Sequence, residues 1–197
     1  AHVNALWFLL FGTSFMTLAV MNLLVCVGIA LLLYHQLGHS FGRWPSLGGA
    51  LAFLLVFAMS DWVFDGNYTY IAPYCHEITH GLFLALLFVH QLVHLTAGPT
   101  RARAFITGLI FGAVLLTKVE VQVATFGAFV AWWIAGRLLR RQPPQDWPKI
   151  FAFLALGALV LPIAFFVWFA LRASITDAAA WMTFPWRAIF AQSPNAR

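Results

Sequence analysis

Residues 15–35 read Phe-Met-Thr-Leu-Ala-Val-Met-Asn-Leu-Leu-Val-Cys-Val-Gly-Ile-Ala-Leu-Leu-Leu-Tyr-His. No charged residue interrupts the run, and apolar side chains do not alternate with polar ones. A membrane-crossing helix needs roughly 20 mostly apolar residues. A lipid-exposed backbone must satisfy its hydrogen bonds internally, so only helices and closed barrels span a bilayer. An unalternating run of this length excludes the barrel. The stretch therefore predicts a transmembrane helix. Similar runs at 46–64, 77–96, 103–118, 120–138 and 150–171 predict about six spans in an all-α, polytopic bundle. The whole chain, 1–197, reads as one transmembrane domain. Ahead of the first span, Asn4 to Phe11 is apolar and aromatic and stops at Gly12, which suggests an interfacial helix end.

Composition supports this class. Hydrophobic residues make up 62% of the chain and charged residues 9%, against about 25% charged in ordinary soluble domains. Mean hydropathy is +0.86. The formal charge of +5 does not point to nucleic acid, because the basic residues sit in short runs between apolar segments. Two cysteines, Cys26 in an apolar run and Cys75 in a polar loop, make no disulfide framework. The sequence opens Ala1-His2-Val3 and closes at Arg197 in polar sequence, and it reads as a fragment of a longer protein.

The basic residues orient the spans. Arg43, Arg101, Arg103, Arg137, Arg140, Arg141 and Lys149 fall in one set of loops, which is expected to be cytoplasmic. The opposite set holds Lys118, Arg172, Arg187 and Arg197. Asp61, Asp65, Glu77, Glu120 and Asp177 also fall on that outer side, with only Asp146 inside. Ionisable groups near a membrane are costly unless paired or wetted, and they mark functional sites. Chemistry is expected at the outer face.

The most polar outer stretch runs from Asp65 to His80, with a turn at Gly66-Asn67 and Pro73 before the next helix. It carries Tyr68, Tyr70, Tyr74, His76 and His80 together with two acids, Asp65 and Glu77. The plain reading is an outer loop with Glu77 stabilising a helix N-terminus; the functional reading is a ligand surface. Asn67-Tyr68-Thr69 is also a glycosylation sequon, relevant only in a eukaryotic source. His76-Glu77-Ile78-Thr79-His80 fits H-E-x-x-H. On a helix, the two histidines share a face and can hold zinc, with Glu77 as general base. Glu120 is the one acid placed to supply a third ligand, giving a metalloprotease set of His76, His80 and Glu120.

Two further patterns stand out. His76 and His90, like His80 and His94, are 14 residues apart, roughly 21 Å along a helix. Paired histidines at such spacing hold haems in membrane cytochromes, with His35 and His39 facing the lower pair and only His2 available for the upper. The plain reading is interfacial histidine at both ends of a span. Thr117-Lys118-Val119-Glu120 ends the short fourth span. It reads either as a polar hairpin tip or as a lysine gripping an anionic head group. Gly108 and Gly112 form a small-xxx-small pair suited to helix packing.

Taken in order, the Asn-Ala-Leu-Trp-Phe start, the Gly66-to-Tyr74 loop, His76-Glu77-Ile78-Thr79-His80-Gly81 and the Gly108-to-Gly112 span leading to Leu115-Leu116-Thr117-Lys118-Val119-Glu120 resemble bacterial integral-membrane glycosyltransferases of the GT-C class. The similarity covers most of the chain to about residue 140. The chain is similar in this to the protein mannosyltransferase family (family 39) and to the lipid A aminoarabinose transferases. The resemblance implies a bacterial inner-membrane protein of the cell envelope, with its site facing the periplasm or exterior. It implies transfer of a sugar from a polyprenyl-phosphate carrier to a lipid, glycan or protein acceptor. The family's catalytic acid lies in a first outer loop upstream of this sequence, which leaves Glu77 as the candidate here. Asp65, Tyr70, Tyr74, His76, His80, Lys118 and Glu120 are then the expected walls of the donor and acceptor site, converging on one outer cavity. No cofactor is required, although a divalent metal is admitted.

Overall fold

The computed structural model describes residues 2–58, 70, 76–139 and 146–191. Among them the chain forms eight α-helices: α1 (His2–Phe11), α2 (Phe15–Phe41), α3 (Arg43–Ala52), α4 (His76–Ala97), α5 (Arg101–Val114), α6 (Val119–Leu139), α7 (Trp147–Arg172) and α8 (Ile175–Ala191). A π-helical turn, Phe53–Phe57, prolongs α3. The all-α architecture is as expected. Among the described residues four helices, against about six expected spans, are long and apolar enough to cross a membrane: α2, α4, α6 and α7. No more than 33% of the apolar window of any of them is buried. Side chains such as Leu31, Leu55 and Leu138 point outward, as a lipid solvent requires.

Of the two remaining expected spans, one is shorter and the other is described only in part. Residues 103–118 yield a 14-residue α5, about 21 Å long against a hydrocarbon core of about 30 Å. The chain leaves the helix after Val114 and turns at Leu115–Lys118. The 46–64 expectation becomes Arg43–Phe57, and residues 59–64 lie outside the described set.

Contacts divide the chain into two compact units, 1–90 and 91–197, and the division falls inside the unbroken helix α4. In the first unit, α1 stops at Gly12, whose φ of +82° suits a residue without Cβ. Ser14 caps α2 by accepting from the Thr17 amide at 3.0 Å, while the Thr17 hydroxyl donates to Gly12 O. These bonds supply partners that a helix start otherwise lacks. α2 ends at Gly42, with φ +81°, and the buried Ser46 hydroxyl donates to the Gly42 carbonyl. Cys26, Ile29, Ala30, Ala50, Phe53 and Ala58 form the core, flanked by Leu82, Phe83 and Leu86 of α4. α4 approaches α2 closely at Gly28, where an added Cβ would stand 3.0 Å from the Phe83 ring. Gln36 Nε2 donates to Leu86 O at 2.9 Å, a bond strengthened by the low-dielectric setting.

The second unit is built on the α5–α7 pair. Gly108 and Gly112 let α5 lie against the backbone of α7 at Leu154 and Ala158, and Gly157 does the same against Phe105. A Cβ at Gly112 would stand 2.6 Å from Ala158 O, so only glycine permits this separation. The Gly108–Gly112 pair thus packs helices as its spacing predicts, while Gly157 is its unforeseen counterpart. Leu95, Ala104, Trp147, Ile150 and Leu154 form a second core, with Phe129, Trp132 and Phe151 packed on it. The Trp132 indole donates to the Thr96 hydroxyl at 2.8 Å.

Helix α8 was not among the expected elements. Its start is nonetheless written locally. Ser174 Oγ accepts from the Asp177 amide at 3.0 Å and donates to Asp177 Oδ2 at 2.7 Å. This variant of the capping box is a recognisable sequence signal for a helix N-terminus.

Candidate functional site

Tyr70 is tied to helix α4 through Thr79. The Thr79 side chain is fully buried, and its hydroxyl donates to the Tyr70 carbonyl at 2.7 Å. The Tyr70 ring packs against Phe53 at 5.9 Å between centroids and joins the first core. Burial raises the Tyr70 phenol above its ordinary value, with a smaller contribution from Cys26. Tyr70 is therefore half-buried against the first core, a role its place in a polar stretch did not suggest. Thr79, read only as a variable letter of the H-E-x-x-H pattern, is the residue that holds it.

His76 begins α4, so His76 and His80 stand one turn apart on one helix. Glu77 lies in the first turn and is exposed, while His80 is half-buried. The first-turn acid meets the positive end of the helix dipole, as expected. Asp65, Tyr74 and the His76 side chain lie outside the described residues. So do the sequon at 67–69 and Cys75.

Lys118 and Glu120 belong to the second unit, at the reversal between α5 and α6. The turn is closed by hydrogen bonds. Thr117 Oγ1 donates to Val114 O at 2.7 Å, and the amides of Val121 and Gln122 both donate to Lys118 O at 3.1 Å. The nearly buried Gln122 does the rest. Its Nε2 donates to Leu115 O at 3.1 Å and to Thr117 O at 2.9 Å, and its Oε1 accepts from the Trp186 indole at 3.1 Å. Lys118 thus caps α6, with Glu120 exposed in that helix's first turn. Lys118 is half-buried, and among the described residues it has no ion-pair partner. Gln122 escaped the sequence reading because a single glutamine in an apolar run carries no motif.

At the far end of α2 and α4 lies a histidine cluster. His35 meets His39 at 5.0 Å and His90 at 5.3 Å between ring centroids, both edge-on. Tyr34, His35, Gly38, His39 and Arg43 line one shallow recess. His94 follows one turn beyond His90 on the same helix. One ring nitrogen from each of His35, His90 and His94 falls within 4.8 Å of the others. Of the two residues expected to face the lower histidine pair, His35 meets His90, while His39 meets His35. Among the described residues this is the one group of three or more such ligands that are mutually close.

The basic ends of the helices stack on aromatics in the second unit. The Arg137 guanidinium lies 4.3 Å from the Trp133 ring and that of Arg172 lies 4.5 Å from Trp168. Such cation–π contacts suit the headgroup level, where an amphipathic ring and a cation share the interface. Asp146 pairs with Lys149 at 2.9 Å. The hydrogen bond from Lys149, then its charge, holds the Asp146 carboxyl below its ordinary value. No family model, no curated protein and no solved structure matches this chain.

Proposed function

We propose that the chain is part of an integral-membrane glycosyltransferase that moves a sugar from a polyprenyl-phosphate carrier to an acceptor on the non-cytoplasmic face. The observation that carries this reading is Lys118. It is a half-buried cation without an ion-pair partner among the described residues, held at the start of α6 by a hydrogen-bonded reversal. A cation in that state is costly near a membrane unless an anion completes it. The departing carrier phosphate is such an anion. Lysine serves as a point charge for it, steadying negative charge as the glycosidic bond breaks. The order of the Tyr-rich loop, the His-Glu helix start and the Thr-Lys-x-Glu tip adds the family resemblance. Glu77, exposed at the start of α4, is the candidate to orient or deprotonate the acceptor hydroxyl.

The test is sugar transfer by the full-length protein in its native membrane, with a polyprenyl-phosphate sugar as donor. Lys118→Ala should lower transfer by roughly 10²-fold or more while insertion is unchanged. Lys118→Arg should recover only part, because a planar fork replaces a point charge. Unchanged transfer in Lys118→Ala overturns the assignment. Zinc-dependent proteolysis abolished by Glu77→Gln would replace the whole reading with the protease one.

A further inference from the structure

We propose that His35, His90 and His94 bind one divalent metal ion of the zinc class at the end of α2 and α4 that leads into the basic loops. The inference is independent of the transferase reading and concerns the opposite end of these helices. His90 and His94 are four residues apart on one helix face, the spacing at which two imidazoles chelate a single ion. His35 comes from α2, its ring 5.3 Å from that of His90. A tetrahedral zinc with Zn–N of about 2.0–2.1 Å needs nitrogens about 3.3–3.4 Å apart. The observed spread, within 4.8 Å, closes by rotation of side chains, two of which are exposed.

The donor set selects the ion. Three neutral imidazoles without thiolate or carboxylate suit zinc, cobalt, nickel or copper and do not suit magnesium or calcium, which require oxygen. Three protein ligands leave a fourth position for water or an anion. Arg43 lines the recess beside His35, so the surroundings are positive and an anionic fourth ligand is favoured there. Bound metal would clip α2 to α4, adding a cross-link to Gln36 and Leu86 in the same turn of the packing.

The experiment uses the full chain, purified in lipid nanodiscs with a tag free of histidine. Co²⁺ is titrated by its visible d–d absorption, then displaced with Zn²⁺. One ion per chain is expected. His35→Asn and His94→Gln keep a polar side chain of similar size, and each should weaken binding by at least about tenfold. His39→Asn should leave binding within about twofold, because His39 is outside the ligand set. Circular dichroism and size-exclusion profiles confirm that each variant is folded. Absence of Co²⁺ binding by the folded wild-type chain overturns the proposal. So does binding that survives His35→Asn and His94→Gln but is lost in His80→Asn, which would move the ion to the H-E-x-x-H helix start.

Discussion

The indole N–H of Trp186 donates to the side-chain carbonyl of Gln122 at 3.1 Å, 64 residues away in sequence. The amide end of the same side chain holds two carbonyls of the α5–α6 reversal. One buried glutamine therefore joins α8 to the turn that presents Lys118. Replacing it with leucine leaves three polar groups short of a partner. Each such group costs about 1–3 kcal/mol where water cannot reach it. Gln122→Leu should lower the unfolding temperature in detergent, and Trp186→Phe should do so by less. A Gln122→Leu protein as stable as wild type would show that these bonds add nothing.

The glycines of α5 and α7 lie against backbone of the facing helix, and those of α6 do not. Gly157→Ala puts a methyl group against Phe105 O, so the two helices must separate. The expected loss is about 1–3 kcal/mol. Gly127 and Gly136 in α6 have nothing within 4 Å of an added Cβ. Alanine there should be neutral or stabilising by up to about 1 kcal/mol, as helix propensity dictates. Thermal unfolding of the three variants side by side gives the comparison. Equal effects would contradict the close α5–α7 approach.

The Asp146–Lys149 pair makes a pH prediction. Because the folded carboxyl titrates below its ordinary value of 3.8, its contribution to stability is complete above the unfolded value. It fades as pH falls through the lowered folded one. Both side chains are exposed, at 63% and 72%, so solvent screening keeps the effect small. Carboxyl-carbon NMR should show the Asp146 midpoint rising toward its ordinary value in Lys149→Met. No change in that midpoint would remove the pair as the cause.

Orientation in the membrane is checked by single-cysteine labelling. Positions in 36–46, 97–103 and 138–149 should share one side, because they carry the excess of Lys and Arg. An impermeant thiol reagent applied to intact cells should leave them unlabelled. Labelling within 138–149 from outside would reverse the topology and the side on which Lys118 and Glu77 face.

The class of this protein was legible in its sequence because lipid imposes a one-dimensional rule. A run of uncharged residues long enough to cross the hydrocarbon must satisfy its own backbone as a helix, and α4, α6 and α7 could be read within a few residues of their ends, while α2 was read at its start but runs on past residue 35 to Phe41. The spacing of Gly108 and Gly112 and the i,i+4 histidines of α4 were legible for the same reason, since one helix sets their relation. What needed tertiary structure was every relation between segments remote in sequence. Local pattern does not say that α5 stops at Val114, that Gly157 answers the glycines of α5, or that Gln122 reaches Trp186. Nor does it say that Tyr70 turns into the core or that His35 meets His90. Those outcomes depend on which helix faces pack, and packing is a property of surfaces that only the folded chain brings together.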